Sequence, residues 1–166
     1  HESIKKKLIE EFGIANPSRN DIIRYKLYRE LETNGYKTLY SDTYIPQEKL
    51  FSKEFDIEHI IPQAKLFDDS FSNKTLEARQ INIEKSNLTA LDFVQTKYGD
   101  VKVEEYTSKV ERLYKSGAIG KAKRNKLLMK ESEIPQGFIE RDLRETQYIA
   151  KVAKSMLEDV VKHVVS

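Results

Sequence analysis

"FDIEHIIPQ", residues 55–63, is the stretch whose reading decides the fold. Phe55, Ile57, Ile60 and Ile61 have the spacing and branching of a buried β-strand, and Pro62 ends it because proline cannot donate to a ladder. Asp56, Glu58 and His59 interrupt that apolar run, and His59 is the one histidine between His1 and His163. A lone histidine on a strand is most often a hydrogen-bonded structural residue. Two acids on the same strand are harder to place, because a buried carboxylate is costly unless it is paired or bound to a cation. Strand alternation puts Phe55, Ile57, His59 and Ile61 on one face, and Asp56, Glu58 and Ile60 on the other.

Partners for these groups lie downstream. Asn73 opens "NKTLEAR" (73–79), whose weak alternation suggests a second strand, and "INIEKSN" (81–87) reads as a short helical turn bearing Asn82. Strand, loop, strand and helix in this order make a ββα unit. In such a unit an acid from the first strand and an amide oxygen from the helix can meet at one hard cation. Oxygen ligands, retained water and a substrate phosphate are what Mg²⁺ prefers. His59 is then left free as a general base, since an unperturbed imidazole titrates at about 6.5 and is mostly neutral at physiological pH.

The flanks read as helices. Ile4, Leu8, Ile9 and Phe12 share a stripe over 2–12 that Gly13 can stop. Ser18 offers an N-cap to a second helix with Ile22, Ile23, Leu27, Tyr28 and Leu31 inward, ending at Asn34-Gly35. Residues 36–54 mix aromatic and turn signals. After Thr89, helical patterns start at Leu91 and Phe93-Val94 and resume through Val103, Tyr106, Val110, Leu113 and Tyr114. A basic helix is expected over 119–130, a linker at "EIPQGF" (133–138), and a last helix over about 139–160 before a strand-like "VVKHVVS". That abrupt end suggests a piece of a longer chain. The fold class expected is α+β, predominantly helical, with a small hairpin in the middle.

Composition narrows the chemistry less than the motif does. Of 166 residues, 39% are apolar and 34% charged, enough for one core with solvent on most faces. The formal charge of +2 makes no global case for nucleic acid. The distribution says more, because Lys115, Lys121, Lys123, Arg124, Lys126 and Lys130 follow one another with no acid between them. Such a run is usually a solvated helix face. There is no cysteine, which excludes disulfides and thiolate metal sites. No apolar run reaches the roughly 20 residues of a membrane span, so a soluble, intracellular-type domain is expected.

Asp56-Ile57-Glu58-His59-Ile60-Ile61-Pro62-Gln63, then Asp68-Asp69-Ser70, Asn73-Lys74 and Asn82 with Lys85, together resemble the HNH nuclease domain. More closely, the series is similar to the HNH domain of the type II CRISPR RNA-guided DNA endonucleases. "RYKLYRELETNGYKTLYS" upstream resembles that family's lead-in, and "GFIERDLRETQYIAKVA" (137–153) resembles the return to its RuvC-like domain. The resemblance implies a ββα-metal core surrounded by helices, with a nuclease domain over 1–137 and a linker and helix over 138–166. It implies His59 as general base, with Glu58 and Asn82 holding one Mg²⁺ that Mn²⁺ can replace. Asn73 would fix the loop between the strands, Lys85 would assist phosphate neutralisation, and Asp56 would either orient a neighbour or be structural. From the residues alone, Lys121, Lys123, Arg124 and Lys126 on the basic helix either touch backbone phosphate or form plain surface.

The implied reaction is hydrolysis of a phosphodiester in the DNA strand paired with a guide RNA. The guide RNA would be held by the rest of the enzyme, which would be prokaryotic and cytoplasmic, and the domain alone would be monomeric. Where the family most often carries Asp before the histidine, this chain carries Glu58. Alternation also aims Glu58 and His59 to opposite sides, so both serve one phosphate only if the strand twists or bulges. A free-standing HNH endonuclease, a silent nucleic-acid-binding domain of the same fold, and a helical protein-interaction module are the competing readings.

Overall fold

The computed structural model describes residues 2–134. Six helices surround one two-stranded antiparallel sheet within that span. Helix α1 (Glu2–Phe12) turns Leu8 fully inward and Phe12 against Tyr25 and Phe51, while Ile9, expected on the same stripe, is 47% exposed. The stripe is therefore narrower than the pattern suggested. Helix α2 (Arg19–Glu30) starts at a complete capping box, in which Ser18 accepts from the Asp21 amide and Asp21 accepts from that of Ser18. A single 3₁₀ turn over Glu32–Asn34 then closes on Gly35, whose φ of +67° a β-carbon would strain.

Strand β1 (Phe55–His59) pairs with β2 (Lys74–Ala78) in an unbroken register from Phe55 opposite Ala78 to His59 opposite Lys74. No bulge interrupts it, so of the two distortions that would bring an acid of this strand and His59 to one phosphate, strand twist is the one left. Ile60 and Ile61 are fully buried just past the strand. Asn73 pins the return loop. Its Oδ1 accepts from the Ile61 amide at 2.9 Å, and its Nδ2 donates to the carbonyls of Ile61 and Asp68 at 3.0 and 2.9 Å.

Helix α3 (Arg79–Lys85) follows β2 directly and packs on both strands. Helices α4 (Ala90–Tyr98, capped by Thr89) and α5 (Asp100–Lys115) meet at Gly99 and pack on each other. Helix α6 (Lys121–Leu127) is shorter than the basic run that announced it. Phe93, Tyr106, Val110, Leu113 and Leu127 form one core with Leu27, Leu39, Ile45 and Leu76. The expected linker from 135 onward, the helix over 139–160 and the strand-like end lie outside the described residues.

Candidate active site at the hairpin and its helix

The hairpin sorts its polar groups by face. Glu58 is 3% exposed, and its carboxylate meets the Lys85 ammonium at 2.7 Å and accepts from the Tyr40 hydroxyl at 2.6 Å. Lys85, itself 1% exposed, also donates to the His59 carbonyl at 3.0 Å. Burial pushes the Glu58 carboxyl up and the Lys85 ammonium down, each against the pull of the other charge. The Tyr40 phenol is driven well up by burial, and next by the Glu58 charge beside it.

A second buried acid was not singled out from sequence. Glu77 lies opposite Asp56 in the ladder, fully buried. It accepts from the Tyr40 and Ala78 amides and the Ser41 hydroxyl, and burial raises its carboxyl. Its only sequence signal was an acid on the inward face of a weakly alternating strand.

Asn82 reaches the first acid of the motif. Its Nδ2 lies 3.3 Å from Asp56 Oδ2, so an amide and a carboxylate sit side by side between α3 and β1. The other end of the strand is held by Arg24, which donates to the carbonyls of Leu50 and Phe55 at 3.1 and 2.7 Å.

His59 stands apart from both clusters. Its ring is 30% exposed, and Nε2 lies 2.9 Å from Asp69 Oδ1, an atom that also meets Lys74 Nζ at 3.3 Å. The Gln63 amide comes within 3.5 Å of the same ring nitrogen. Asp69 stood in the quoted acidic stretch, but nothing in the sequence tied it to the histidine.

Three parts of the expected constellation have partners within the fold that the sequence does not announce. The Glu58 carboxylate is buried against Lys85 and Tyr40, and among the described residues no hydrogen bond joins it to Asn82. The Lys85 ammonium is engaged by Glu58 and the His59 backbone. The basic helix is largely neutralised within the fold. Lys123 is 2% exposed and paired with Glu30 at 2.6 Å, Arg124 pairs with Glu111, and Lys126 pairs with Asp68 and donates to Ser72. Of the four cations expected on nucleic acid, Lys121 alone is exposed without an ion pair among the described residues.

Asp56 and Asn82 do suit a hard cation in their chemistry. Both carry oxygen donors, and an amide flip would turn Asn82 Oδ1 toward the carboxylate, since the two amide ends are nearly alike in shape. Among the described residues no three His, Cys, Asp or Glu side chains converge, so water and substrate would complete the coordination.

Comparison with known proteins bears on the family. Residues 38–91 match the HNH endonuclease family, and residues 133–166 match RuvC endonuclease subdomain 3. The chain is 31% identical to the CRISPR-associated endonuclease Cas9 of Staphylococcus aureus over 128 residues, which is 73% of this chain and 12% of that protein. It is 28% identical over 134 residues to Cas9 1 of Streptococcus thermophilus, 75% of this chain and 11% of that protein. The chain thus spans only a small part of these relatives. Structures of Streptococcus thermophilus Cas9 share its fold. One in complex with the AGGA PAM has a TM-score of 0.58 at 23% identity, and one with the GGAA PAM has 0.60 at 21%. Each covers 95% of this chain and 16% of the solved one.

Proposed function

This chain belongs to the HNH region of the type II CRISPR Cas9 endonucleases, and from that premise we propose that it cuts the DNA strand paired with the guide RNA. One observation carries the reading. A partly exposed histidine ends the first strand of a hairpin whose following helix brings Asn82 onto an acid of the same strand. Residues 1–137 would form the nuclease unit and 138–166 the return to a RuvC-like domain, which the RuvC match over 133–166 supports.

His59 acts as general base and takes a proton from the attacking water. Asn73 holds the loop that faces it, and Lys85 ties α3 to the His59 backbone so that strand and helix move as one body. Asp56 and Asn82 are the residues that would hold Mg²⁺, in place of the Glu58 and Asn82 pair. A divalent cation there supplies charge against the scissile phosphate and the leaving 3′ oxygen.

The test is His59→Ala in the full-length enzyme, read on a gel with each DNA strand separately end-labelled. The paired strand should be cut about 10²–10⁴-fold more slowly. Target binding and cutting of the other strand should persist. Normal nicking of the paired strand would sink the assignment and favour a silent nucleic-acid-binding domain.

A further inference from the structure

We propose that Asp69 is a positioning residue for the hydrolytic step, which fixes the tautomer and aim of His59 so that Nδ1 is the nitrogen that takes the proton. This rests on the reading of His59 as the general base. An ionised carboxylate only accepts hydrogen bonds, so at 2.9 Å His59 Nε2 must carry the ring proton toward Asp69 Oδ1. The neutral ring then has its lone pair on Nδ1.

Two features keep Asp69 in that role. Lys74, the cross-strand neighbour of His59, lies 3.3 Å from the same carboxylate oxygen. The His59 hydrogen bond first, and Lys74 after it, hold the Asp69 carboxyl below its ordinary value, so it stays ionised. The loop is also built to present it. Asp68 Oδ1 accepts from both the amide and hydroxyl of Ser70, and the Asp68 carbonyl accepts from Asn73. Asp69 sits between two tied-down residues, and its exposed carboxylate meets the ring from there.

In the step itself, the water oxygen bonds to phosphorus as its proton passes to Nδ1. The phosphorus–O3′ bond breaks, its electron pair stays on O3′, and that oxygen is protonated from solvent. The imidazolium that forms carries a second positive N–H, and Asp69 stabilises it across the bond already present.

The experiment is single-turnover cleavage of the guide-paired strand by the full-length enzyme, with cleavage of the other strand as the control for an intact protein. Asp69→Asn should slow the step at least about tenfold at saturating substrate, as loss of an orienting carboxylate does elsewhere. Substrate and Mg²⁺ half-saturation should not move. Asp69→Glu, which restores charge and acceptor, should recover the rate to within about threefold. A wild-type or faster rate for Asp69→Asn beside an inactive His59→Ala overturns the inference alone. Recovery of Asp69→Asn at raised Mg²⁺ also overturns it, because Asp69 would then serve the metal. Normal cleavage by His59→Ala removes the base assignment itself, and the inference with it.

Discussion

Lys85 and Glu58 meet at 2.7 Å with 1% and 3% of their side chains exposed, and the same ammonium holds the His59 carbonyl at 3.0 Å. A pair buried this deeply contributes to stability only while it is intact, since each charge has given up its water. Its position directly beneath His59 links fold and function, because whatever loosens it also loosens the backbone that carries the base. Lys85→Met should cost about 3–5 kcal/mol, by leaving a buried carboxylate unpaired. Glu58→Gln combined with Lys85→Met should recover much of that loss, because Gln keeps an acceptor for the Tyr40 hydroxyl and removes the charge. Urea unfolding midpoints of the three variants would show it. Additive losses in the double variant would contradict the pairing.

Glu77 makes a prediction about pH. Burial raises its folded-state carboxyl above the unfolded value, so the folded chain binds this proton more readily than the unfolded one. The favourable contribution is therefore complete below the unfolded carboxylate range, at about 4.3, and is lost as pH rises through the raised folded value. Wild type should lose stability relative to Glu77→Gln across that window, and the two curves should run parallel above it. Chemical denaturation from mildly acid to neutral pH measures the difference. A difference independent of pH would show that Glu77 ionises as freely as an exposed acid.

The metal assignment separates two acids on one strand. Asp56→Asn should raise the Mg²⁺ concentration for half-maximal cleavage of the paired strand, and Asn82→Ala should do so through lost positioning. Mn²⁺, which accepts oxygen ligands in the same geometry, should partly rescue either. Glu58→Gln should instead act on stability and leave the metal dependence nearly unchanged. Cleavage rate against metal concentration in the full-length enzyme decides it, and a large shift for Glu58→Gln with none for Asp56→Asn would restore the original pair.

Helix α6 should prove structural before it proves electrostatic. Lys123 is buried against Glu30 and lies 4.3 Å from the centre of the Phe71 ring, so Lys123→Met should lower the unfolding midpoint. It should leave the salt dependence of DNA binding as it is. Lys121→Ala should do the reverse, reducing the slope of log affinity against log salt by up to about one unit if that cation meets a phosphate. Binding isotherms at several salt concentrations, beside a melt, distinguish the two.

Much of this protein was legible in its residues. The period-2 run from Phe55, the Ser18 cap three residues before Asp21, Gly35 after Asn34 and the apolar spacing from Val103 to Leu113 each express a local rule. Local rules act within a few residues, so elements and boundaries could be read from order alone. The motif likewise identified His59, Asn73 and Asn82 as the residues around which the hairpin is arranged, through their likeness to a family rather than through any contact the sequence displays.

Which groups touch was decided by the tertiary structure. Alternation stated that Glu58 and His59 point apart, and the unbroken register of β1 with β2 kept them apart. The inward side of β1 then faced Tyr40, 18 residues upstream, and Lys85, 26 residues beyond His59. Neither distance along the chain carries a signal, because burial and pairing depend on how α3 and the 36–54 segment close over the sheet. The same closure turned Lys123 from a surface cation into a buried partner of Glu30, 93 residues away. A charge in a sequence has a sign but no environment, and the desolvation that separates a ligand from a buried ion pair exists only once the chain has folded around it.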